Sequence, residues 1–219
     1  MNIHPSSRLY LKQIEVGPMQ NYMYLLGDRQ KDEAVLVDPA WEVDRVLKVA
    51  EQDGMKVSKA LVTHTHFDHV NGVEDFLAKT DGQIYIHKNE AAHLKGMRAN
   101  LRPVEGGEKL QIGDMTVTFL HTPGHTPGSQ CFLIADHLVS GDTLFINACG
   151  RCDLPGGNPE EMYRSLTEKL MKLDDRVVLL PGHNYDDDPV SSMGKEKAQN
   201  PYLQYKNLND FLRFRMGVS

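Results

Sequence analysis

One short segment places the strongest constraint on this chain, because it brings four potential metal ligands into six consecutive positions. These residues are His64, His66, Asp68 and His69. The apolar run Lys59–Val62 before them predicts a strand, and Val70–Lys79 after them predicts a helix. Side chains two residues apart in a strand point to the same side, so the first two histidines are expected to converge while the turning backbone aims the last two ligands elsewhere. The segment therefore predicts a strand end with two adjacent metal positions rather than one closed tetrahedral site.

Composition limits the classes of protein and partner. The chain has 219 residues, of which 40% are hydrophobic and 25% charged, and this is typical of a globular protein that can bury a core. The formal net charge of −6 argues against a nucleic-acid partner. No apolar stretch approaches the roughly 18 residues of a transmembrane helix, so no membrane association is expected. The N-terminus shows no secretory signal and the three cysteines leave an odd count, so a cytoplasmic location is expected.

Apolar periodicity and turn residues predict the remaining elements. Strands are predicted at Leu9–Val16, Asn21–Gly27, Ala34–Val37, Gln83–Ile86, Gln130–Ala135, His137–Ser140 and Val177–Leu180, with a strand pair in Leu110–Thr122. Helices are predicted at Trp41–Gln52, Asn89–Lys95, Pro159–Leu173, Ser191–Gln199 and Pro201–Phe214. This order predicts an α/β protein in which two sheets pack face to face with helices outside. Because no repeat or long linker interrupts it, residues 1–219 are expected to form one domain, with residues 191–219 as a short helical extension.

Three further candidate ligands lie in tight turns that contain glycine. They are His125 in Gly124-His125-Thr126-Pro127-Gly128, Asp142 after Gly141, and His183 after Gly182. A small neighbour allows close backbone approach, and proline stiffens a loop, so both favour a preorganised ligand. Two of these residues also follow predicted strands. Because strand ends on one edge of a sandwich meet, the sequence predicts a single cleft that contains five imidazoles and two carboxylates.

Taken together, these motifs resemble those of the metallo-β-lactamase superfamily, over nearly the whole chain from Asp38 to Leu203. The resemblance implies a four-layer αβ/βα sandwich with two mixed sheets between helices. It also implies the role of each ligand-type residue. His64, His66 and His125 would bind one metal ion, Asp68, His69 and His183 would bind a second, and Asp142 would bridge the two. Asp38 would support the ligand turn without touching a metal, while Asp68 and Asp142 would be the catalytic carboxylates.

The same resemblance implies a metal-dependent hydrolase with two zinc ions per chain. Neutral imidazoles and carboxylates suit such ions, and a bridging carboxylate offsets the repulsion between two cations. Water held between the metals has its pKa lowered from about 16 towards 7, which supplies hydroxide to attack an acyl carbon. No serine or cysteine nucleophile is required, and the Gly-x-Ser-x-Gly motif of serine hydrolases is absent. A thioester is the favoured substrate because its thiolate leaves without a strong general acid.

Within the superfamily, the sequence is most similar to the group that contains glyoxalase II and the persulfide dioxygenases. The segment Cys149-Gly150-Arg151 is similar to a glyoxalase II segment whose basic residue helps to hold glutathione, and Tyr185 matches a glutathione-contacting tyrosine. The resemblance thus implies that Arg151 and Tyr185 bind a small-molecule thioester. Two alternatives stay open: Arg151 as a structural ion-pair partner, and Tyr185 as a packing residue under the metal loop. Acyl-carrier and coenzyme A thioesters fit nearly as well as glutathione thioesters.

A second function is compatible with the same residues. A mononuclear iron dioxygenase acting on glutathione persulfide would use only His64, His125 and Asp142, a two-histidine, one-carboxylate set with open positions. One Fe²⁺ per chain, or a mixed zinc and iron content, is therefore the alternative to two zinc ions. Phe67 in the ligand loop and Leu154 after the Arg151 segment favour hydrolysis, because persulfide dioxygenases tend to carry Ala and Phe at these places. The oligomeric state is not indicated by the sequence.

Overall fold

The first half of the chain forms one six-stranded sheet. In the computed structural model, which describes residues 8–97 and 100–217, its strands are β1 (Leu9–Val16), β2 (Asn21–Asp28), β3 (Glu33–Val37), β4 (Lys56–Val62), β5 (Gln83–His87) and β6 (Leu101–Val104). They lie side by side in this order, antiparallel from β1 to β3 and parallel from β3 to β6. The parallel strands end at a common edge, where β4 leads into the metal-ligand segment predicted from the sequence.

The second half forms another six-stranded sheet and a small hairpin. The strands are β7 (Lys109–Ile112), β8 (Met115–His121), β9 (Gln130–Ile134), β10 (His137–Gly141), β11 (Leu144–Phe145), β12 (Ala148–Cys149), β13 (Val178–Pro181) and β14 (Ser191–Ser192). Strands β11 and β12 pair only with each other, and the others lie in the order β14-β13-β10-β9-β8-β7. Strands β10 and β13 run parallel, so their carboxyl ends meet at one edge and carry candidate ligands there.

The helices cover the outer faces of both sheets. They are α1 (Val43–Gln52), α2 (Phe67–Val70), α3 (Val73–Thr80), α4 (Pro159–Arg164), α5 (Met193–Gln199) and α6 (Leu208–Met216), with short 3₁₀ segments at Ala91–Met97 and Pro201–Leu203. Val46 of α1 and Phe76 of α3 are buried against the first sheet. Met162 of α4 and Phe211 of α6 are buried against the second. Among the described residues, no helix combines the length and apolar character needed to cross a membrane.

A third apolar core lies between the two sheets. Consecutive residues of β2 point in opposite directions, so Leu25 belongs to the core under α1 and α3 whereas Leu26 faces the other sheet. Leu26 and Leu61 of the first sheet share this central core with Phe119 and Phe132 of the second. Both sheets are thus buried on two faces. The predicted α/β sandwich of two mixed sheets with helices outside is confirmed.

Several helix predictions need correction. The predicted helix Val70–Lys79 is divided between α2 and α3, and Ser191–Ser192 form strand β14 before α5 begins. The predicted helix Pro201–Phe214 is interrupted, because the Asn207 side chain accepts a hydrogen bond from the Asp210 N–H and so begins α6 as a new helix. The predicted helix Pro159–Leu173 is helical as far as Lys172 but irregular, since α4 continues as a π-helical turn at Ser165–Lys169 and a 3₁₀ turn at Leu170–Lys172. The ends of the predicted domain, residues 1–7 and 218–219, lie outside the described residues.

Backbone hydrogen bonds join the two sheets at the edge that carries the candidate ligands. The Gln130 N–H donates to the Thr63 carbonyl (2.9 Å), directly before His64. The Tyr22 N–H donates to the Gly182 carbonyl (2.8 Å), directly before His183. The segments that carry ligands from different halves of the chain are therefore held in fixed register with each other.

Candidate metal centre

All seven candidate ligands predicted from the sequence lie together at the edge where the sheets meet. The first four follow β4, and α2 begins at Phe67, so Asp68 and His69 lie in its first turn. The other three come from the second half of the chain. Three overlapping sets have ligand atoms within 4.8 Å of one another: His64, His66 and His125; His64, His69 and Asp142; and Asp68, His69 and His183.

Asp142 lies at the centre of the cluster. One carboxylate oxygen, Oδ2, is 3.5 Å from Nε2 of His125 and 3.4 Å from Nε2 of His183. The other, Oδ1, is 3.4 Å from Nε2 of His69. The same carboxylate therefore reaches imidazoles of all three sets. A carboxylate in this position is suited to contact two metal ions, one through each oxygen.

Hydrogen bonds on the outer side of the cluster orient the imidazoles. Nδ1 of His125 donates to the Arg151 carbonyl (2.7 Å), and Nδ1 of His183 donates to the Met19 carbonyl (2.9 Å). Nδ1 of His69 donates to the Asp38 carboxylate (3.0 Å). With Nδ1 protonated in this way, Nε2 faces the centre as an unprotonated ligand atom.

Asp38 organises the turn that follows β4. It is buried, and its backbone has a φ of 51°. Oδ1 accepts a hydrogen bond from the Thr63 N–H (2.7 Å), and Oδ2 accepts one from the Thr63 hydroxyl (2.6 Å) as well as the one from His69. Because the Thr63 hydroxyl donates to Asp38, its oxygen is free to accept from Nδ1 of His64 (3.0 Å). One carboxylate thus orients two of the candidate ligands.

The charge state of the cluster suits divalent cations. Burial lowers the pKa of His64 well below its usual value, and burial followed by the neighbouring His125 lowers the pKa of His66. Burial opposes ionisation of Asp142, but the nearby His69 and His183 outweigh it and hold the pKa of Asp142 well below its usual range. His64 and His66 are therefore neutral and Asp142 is ionised at neutral pH, which are the forms that bind metal. At His69 burial is outweighed by the surrounding carboxylates, Asp142 first, which raise its pKa well above the usual value, so metal binding would displace a proton from this imidazole.

Several ligand atoms at the centre have no partner in the described protein. Nε2 of His64, Nε2 of His125 and Oδ1 of Asp142 are buried without a hydrogen bond to any described residue. A buried polar atom left unpaired costs about 1–3 kcal/mol. Such atoms converging on one point are satisfied by a cation. Nitrogen and carboxylate oxygen donors fit zinc or iron, so the residues present fit a metal centre of either kind.

Comparison with known proteins agrees with this geometry. The family model of the metallo-beta-lactamase superfamily matches residues 16–183. The chain belongs to this superfamily. Its members are metal-dependent enzymes, and the chain is a metal-dependent enzyme of this superfamily.

Two relatives in this superfamily are named for different activities. A probable polyketide biosynthesis zinc-dependent hydrolase, BaeB of Bacillus velezensis, is 33% identical over 89% of this chain and 87% of its own length. The mitochondrial persulfide dioxygenase ETHE1 of Bos taurus is 35% identical over 83% of this chain and 71% of its own length. The crystal structure of ETHE1 from Myxococcus xanthus superimposes with a TM-score of 0.88 at 31% identity, covering 96% of this chain and 91% of that one. The resemblance stated from the sequence motifs is confirmed.

Close backbone approach around Asp142 depends on two glycines, as the turn sequences suggest. A Cβ atom on Gly150 would lie 1.8 Å from the Asp142 carbonyl oxygen, and one on Gly182 would lie 2.4 Å from Oδ1 of Asp142. Both distances are far inside van der Waals contact. Only glycine at these positions lets the loops after β12 and β13 close around the central carboxylate.

The two candidate substrate residues lie on different sides of the cluster. The Arg151 side chain is exposed and forms a two-point ion pair with Asp153 (2.9 and 2.7 Å), while its backbone carbonyl accepts the hydrogen bond from His125. The Tyr185 ring stacks on His183, with centroids 4.5 Å apart and planes 10° apart, and its side chain is largely exposed. Both residues are therefore beside the centre and accessible to a substrate.

Two residues that the sequence interpretation missed hold the ligand loops in place. The Asn21 amide donates to both the carbonyl and the carboxylate of Asp68 (3.1 and 2.9 Å). Glu90 is buried and accepts hydrogen bonds from the Thr65 hydroxyl and from the Gly128 N–H (2.8 Å). Glu90 thus ties the loop of His64 and His66 to the loop of His125. No spacing signal marks either residue, because their partners are distant in sequence.

Replacement of Glu90 is expected to weaken metal binding. In Glu90→Ala the two ligand loops lose their common carboxylate, and the affinity of the first ligand set should fall by about tenfold, which is typical of residues that orient metal ligands. Competition with a chromophoric chelator measures this affinity directly. Glu51→Ala, which removes an exposed glutamate from α1, is the matched control and should change nothing. Equal affinities for the two variants would contradict the role given to Glu90.

Proposed function

We propose that the protein hydrolyses acyl thioesters at a centre of two metal ions, preferentially zinc. The observation that carries this proposal is the convergence of seven nitrogen and oxygen ligands in three overlapping sets, more than one ion can use. His64, His66 and His125 would hold one ion, Asp68, His69 and His183 the other, and Asp142 would contact both. Bound there, such ions supply a polarised water nucleophile and a Lewis acid for the acyl oxygen.

The protein's own residues would complete the reaction. Asp68 is partly exposed, and its Oδ2 is fixed by the Asn21 amide, so it is placed to accept a proton from an attacking water. Asp142 would stay ionised and hold the two ligand halves together. The leaving group is a thiolate, whose conjugate acid has a pKa of about 8.5, so no strong general acid is needed. The described cluster contains carboxylates and imidazoles but no positioned serine nucleophile.

Arg151 is the residue that would recognise the thiol carrier of the substrate. The candidate substrates are glutathione, acyl-carrier and coenzyme A thioesters, all of which carry anionic groups. The name of BaeB supports a zinc-dependent hydrolase but does not specify its acyl group. Arg151 stands beside His125 and would bind an anionic group of the carrier by exchanging its ion pair with Asp153 for one with the substrate.

Arg151→Ala is expected to raise KM for a carboxylate-bearing thioester by about tenfold, because a charge-assisted hydrogen bond to the carrier is lost. A neutral N-acetylcysteamine thioester should be affected much less. Arg176→Ala is a matched control, since Arg176 forms the same two-point pair with an aspartate two residues away, at Asp174. Steady-state kinetics with both thioesters provide the measurement. An equal rise in KM for both would argue that Arg151 serves structure alone.

One observation favours a second function, oxidation of glutathione persulfide at a single iron. Within the ligand cluster, the buried atoms that lack a partner among the described residues belong to His64, His125 and Asp142, the set expected for such a site. The similarity to ETHE1 supports this alternative. Under this second function, the remaining four ligand-type residues would serve as hydrogen-bonding neighbours.

Metal analysis of the purified, untagged protein separates the two functions. About two zinc ions per chain, with release of thiol from acyl thioesters, would support the proposed hydrolase. About one iron per chain, with oxygen consumption on addition of glutathione persulfide and no thioester cleavage, would replace it by the dioxygenase. Both assays are run on protein reconstituted separately with each metal, so that loss of metal during purification does not decide the outcome.

A further inference from the structure

Five large apolar side chains are exposed in the described part of the chain, and three of them surround one side of the metal-ligand cluster. Those three are Met19 (47% exposed), Phe67 (73%) and Tyr185 (58%). The other two lie on α6. Scattered exposed apolar residues are ordinary, but a group of them around a reactive centre indicates a contact surface. We call Met19, Phe67 and Tyr185 the apolar rim.

Two members of the apolar rim contact His183, and the third is adjacent to Asp68 in the sequence. The Met19 carbonyl accepts the hydrogen bond from His183, and the Tyr185 ring stacks on the same imidazole. Phe67 precedes Asp68 in α2. The apolar rim therefore lies on the side of Asp68 and His183, whereas Arg151 lies on the side of His125.

Further aromatic residues support the rim from beneath. The Trp41 ring meets Phe67 edge-on, with centroids 6.3 Å apart and planes 83° apart. A Cβ atom on Gly17 would lie 2.3 Å from the Trp41 ring, so the turn that carries Met19 packs directly on Trp41. Phe145 lies 5.6 Å from Tyr185, centroid to centroid. The exposed rings are thus held in place before any substrate binds, which lowers the entropy cost of binding.

Folding does not account for the exposure of Phe67. A phenylalanine that leaves about three quarters of its surface in water contributes little burial energy, while water contact with its ring is unfavourable. A substrate that covers the ring would recover this energy. The centre therefore has an apolar side and a basic side, and a substrate with the same division of polarity would fit both.

We infer that the apolar rim binds the acyl group of the substrate, and that the preferred substrates are thioesters of apolar acyl groups several carbons long. This inference rests on the proposed thioester hydrolysis. Tyr185 would contact the acyl group, and Arg151 would contact the thiol carrier. Short or hydroxylated acyl groups would leave the rim in water and gain nothing from it.

A chain-length series tests this assignment. With N-acetylcysteamine thioesters, whose thiol part is neutral and constant, kcat/KM should rise about twofold per methylene, or about 60-fold from acetyl to octanoyl, since a half-open rim recovers part of the full transfer energy. Phe67→Ser should reduce the octanoyl-to-acetyl ratio by at least about fivefold. Phe214→Ser removes another exposed phenylalanine (45% exposed) from α6 and should leave the ratio unchanged. Equal efficiency for all lengths in the unmodified protein would overturn the inference and leave thioester hydrolysis standing.

A binding measurement separates the rim from the reaction. Trp41 is the single tryptophan of the sequence and touches Phe67, so its fluorescence reports on the rim. Non-hydrolysable S-octyl and S-methyl thioethers of N-acetylcysteamine are the probes. The octyl probe should change the emission at concentrations at least about tenfold lower than the methyl probe, and Phe67→Ser should abolish this difference. That result without any thioester cleavage would retain the rim and reject the proposed function. Equal responses to both probes would reject the rim.

Discussion

Asp142→Ala is expected to reduce turnover by at least about a thousandfold and to lower the metal content by one ion or more per chain. The carboxylate reaches imidazoles of all three ligand sets, at 3.4–3.5 Å from His69, His125 and His183. Without it, two cations would face each other with no shared negative charge between them. In the part of the chain that the structure describes, the contacts of this carboxylate are to the ligand histidines, so far-ultraviolet circular dichroism should stay unchanged.

The measurements for this variant are elemental metal analysis, thioester turnover and circular dichroism on the same preparation. Asp187→Ala, which removes an exposed aspartate from the loop after His183, is the matched control and should behave like the unmodified protein. Asp142→Asn should be intermediate in metal content, because the amide keeps a ligand oxygen but carries no charge. Full activity in Asp142→Ala would reject a shared carboxylate.

The second large effect is expected at Asp38, where two substitutions should have different consequences. Asp38→Ala removes the acceptor of three buried hydrogen bonds and should lower the free energy of unfolding by about 3–5 kcal/mol. Asp38→Asn keeps the size, tolerates the positive φ and retains one acceptor oxygen. Its amide N–H would face Nδ1 of His69 and drive the proton of that imidazole onto Nε2. His69 would then present a proton to the metal.

Asp38→Asn is therefore expected to unfold at nearly the denaturant concentration of the unmodified protein but to bind metal about 10–100-fold more weakly. Urea titration of the metal-free protein gives the stability, and chelator competition gives the affinity. Asp81→Asn is the matched control, because Asp81 is also an aspartate at positive φ (47°) but is exposed and distant from the cluster. A parallel loss of stability and affinity in Asp38→Asn would show that the tautomer of His69 is not the cause.

The ligand cluster could be foreseen from the sequence because its signals are local. The segment from His64 to His69 follows an apolar strand directly, and Asp142 and His183 each follow a strand and a glycine. Residues that directly follow a strand lie at the edge of its sheet, so those that follow strands ending at the same edge lie close together. Their ligation of metal and their grouping into two sites stay predictions, which the variants above test.

Other features lack such local signals. Glu90 lies 38 residues from Gly128, and Asn21 lies 47 residues from Asp68, so neither contact follows from spacing. Strand β6 was not predicted, because Arg102 and Pro103 are poor strand residues. Its position at the edge of the sheet explains their presence, since proline there does not break a ladder on both sides. These features depend on tertiary contacts, which the pattern of a single segment does not contain.

The separation of the two sheets along the chain determines when the metal-ligand cluster can form during folding. Every strand of the first sheet precedes residue 105, and every strand of the second follows residue 108. Each of the three ligand sets takes members from both halves, so neither half alone holds a complete set. A bound ion would therefore cross-link the two halves of the chain, and its binding energy would stabilise their association. A chain that is still being made would carry no reactive centre until its second half has docked on the first.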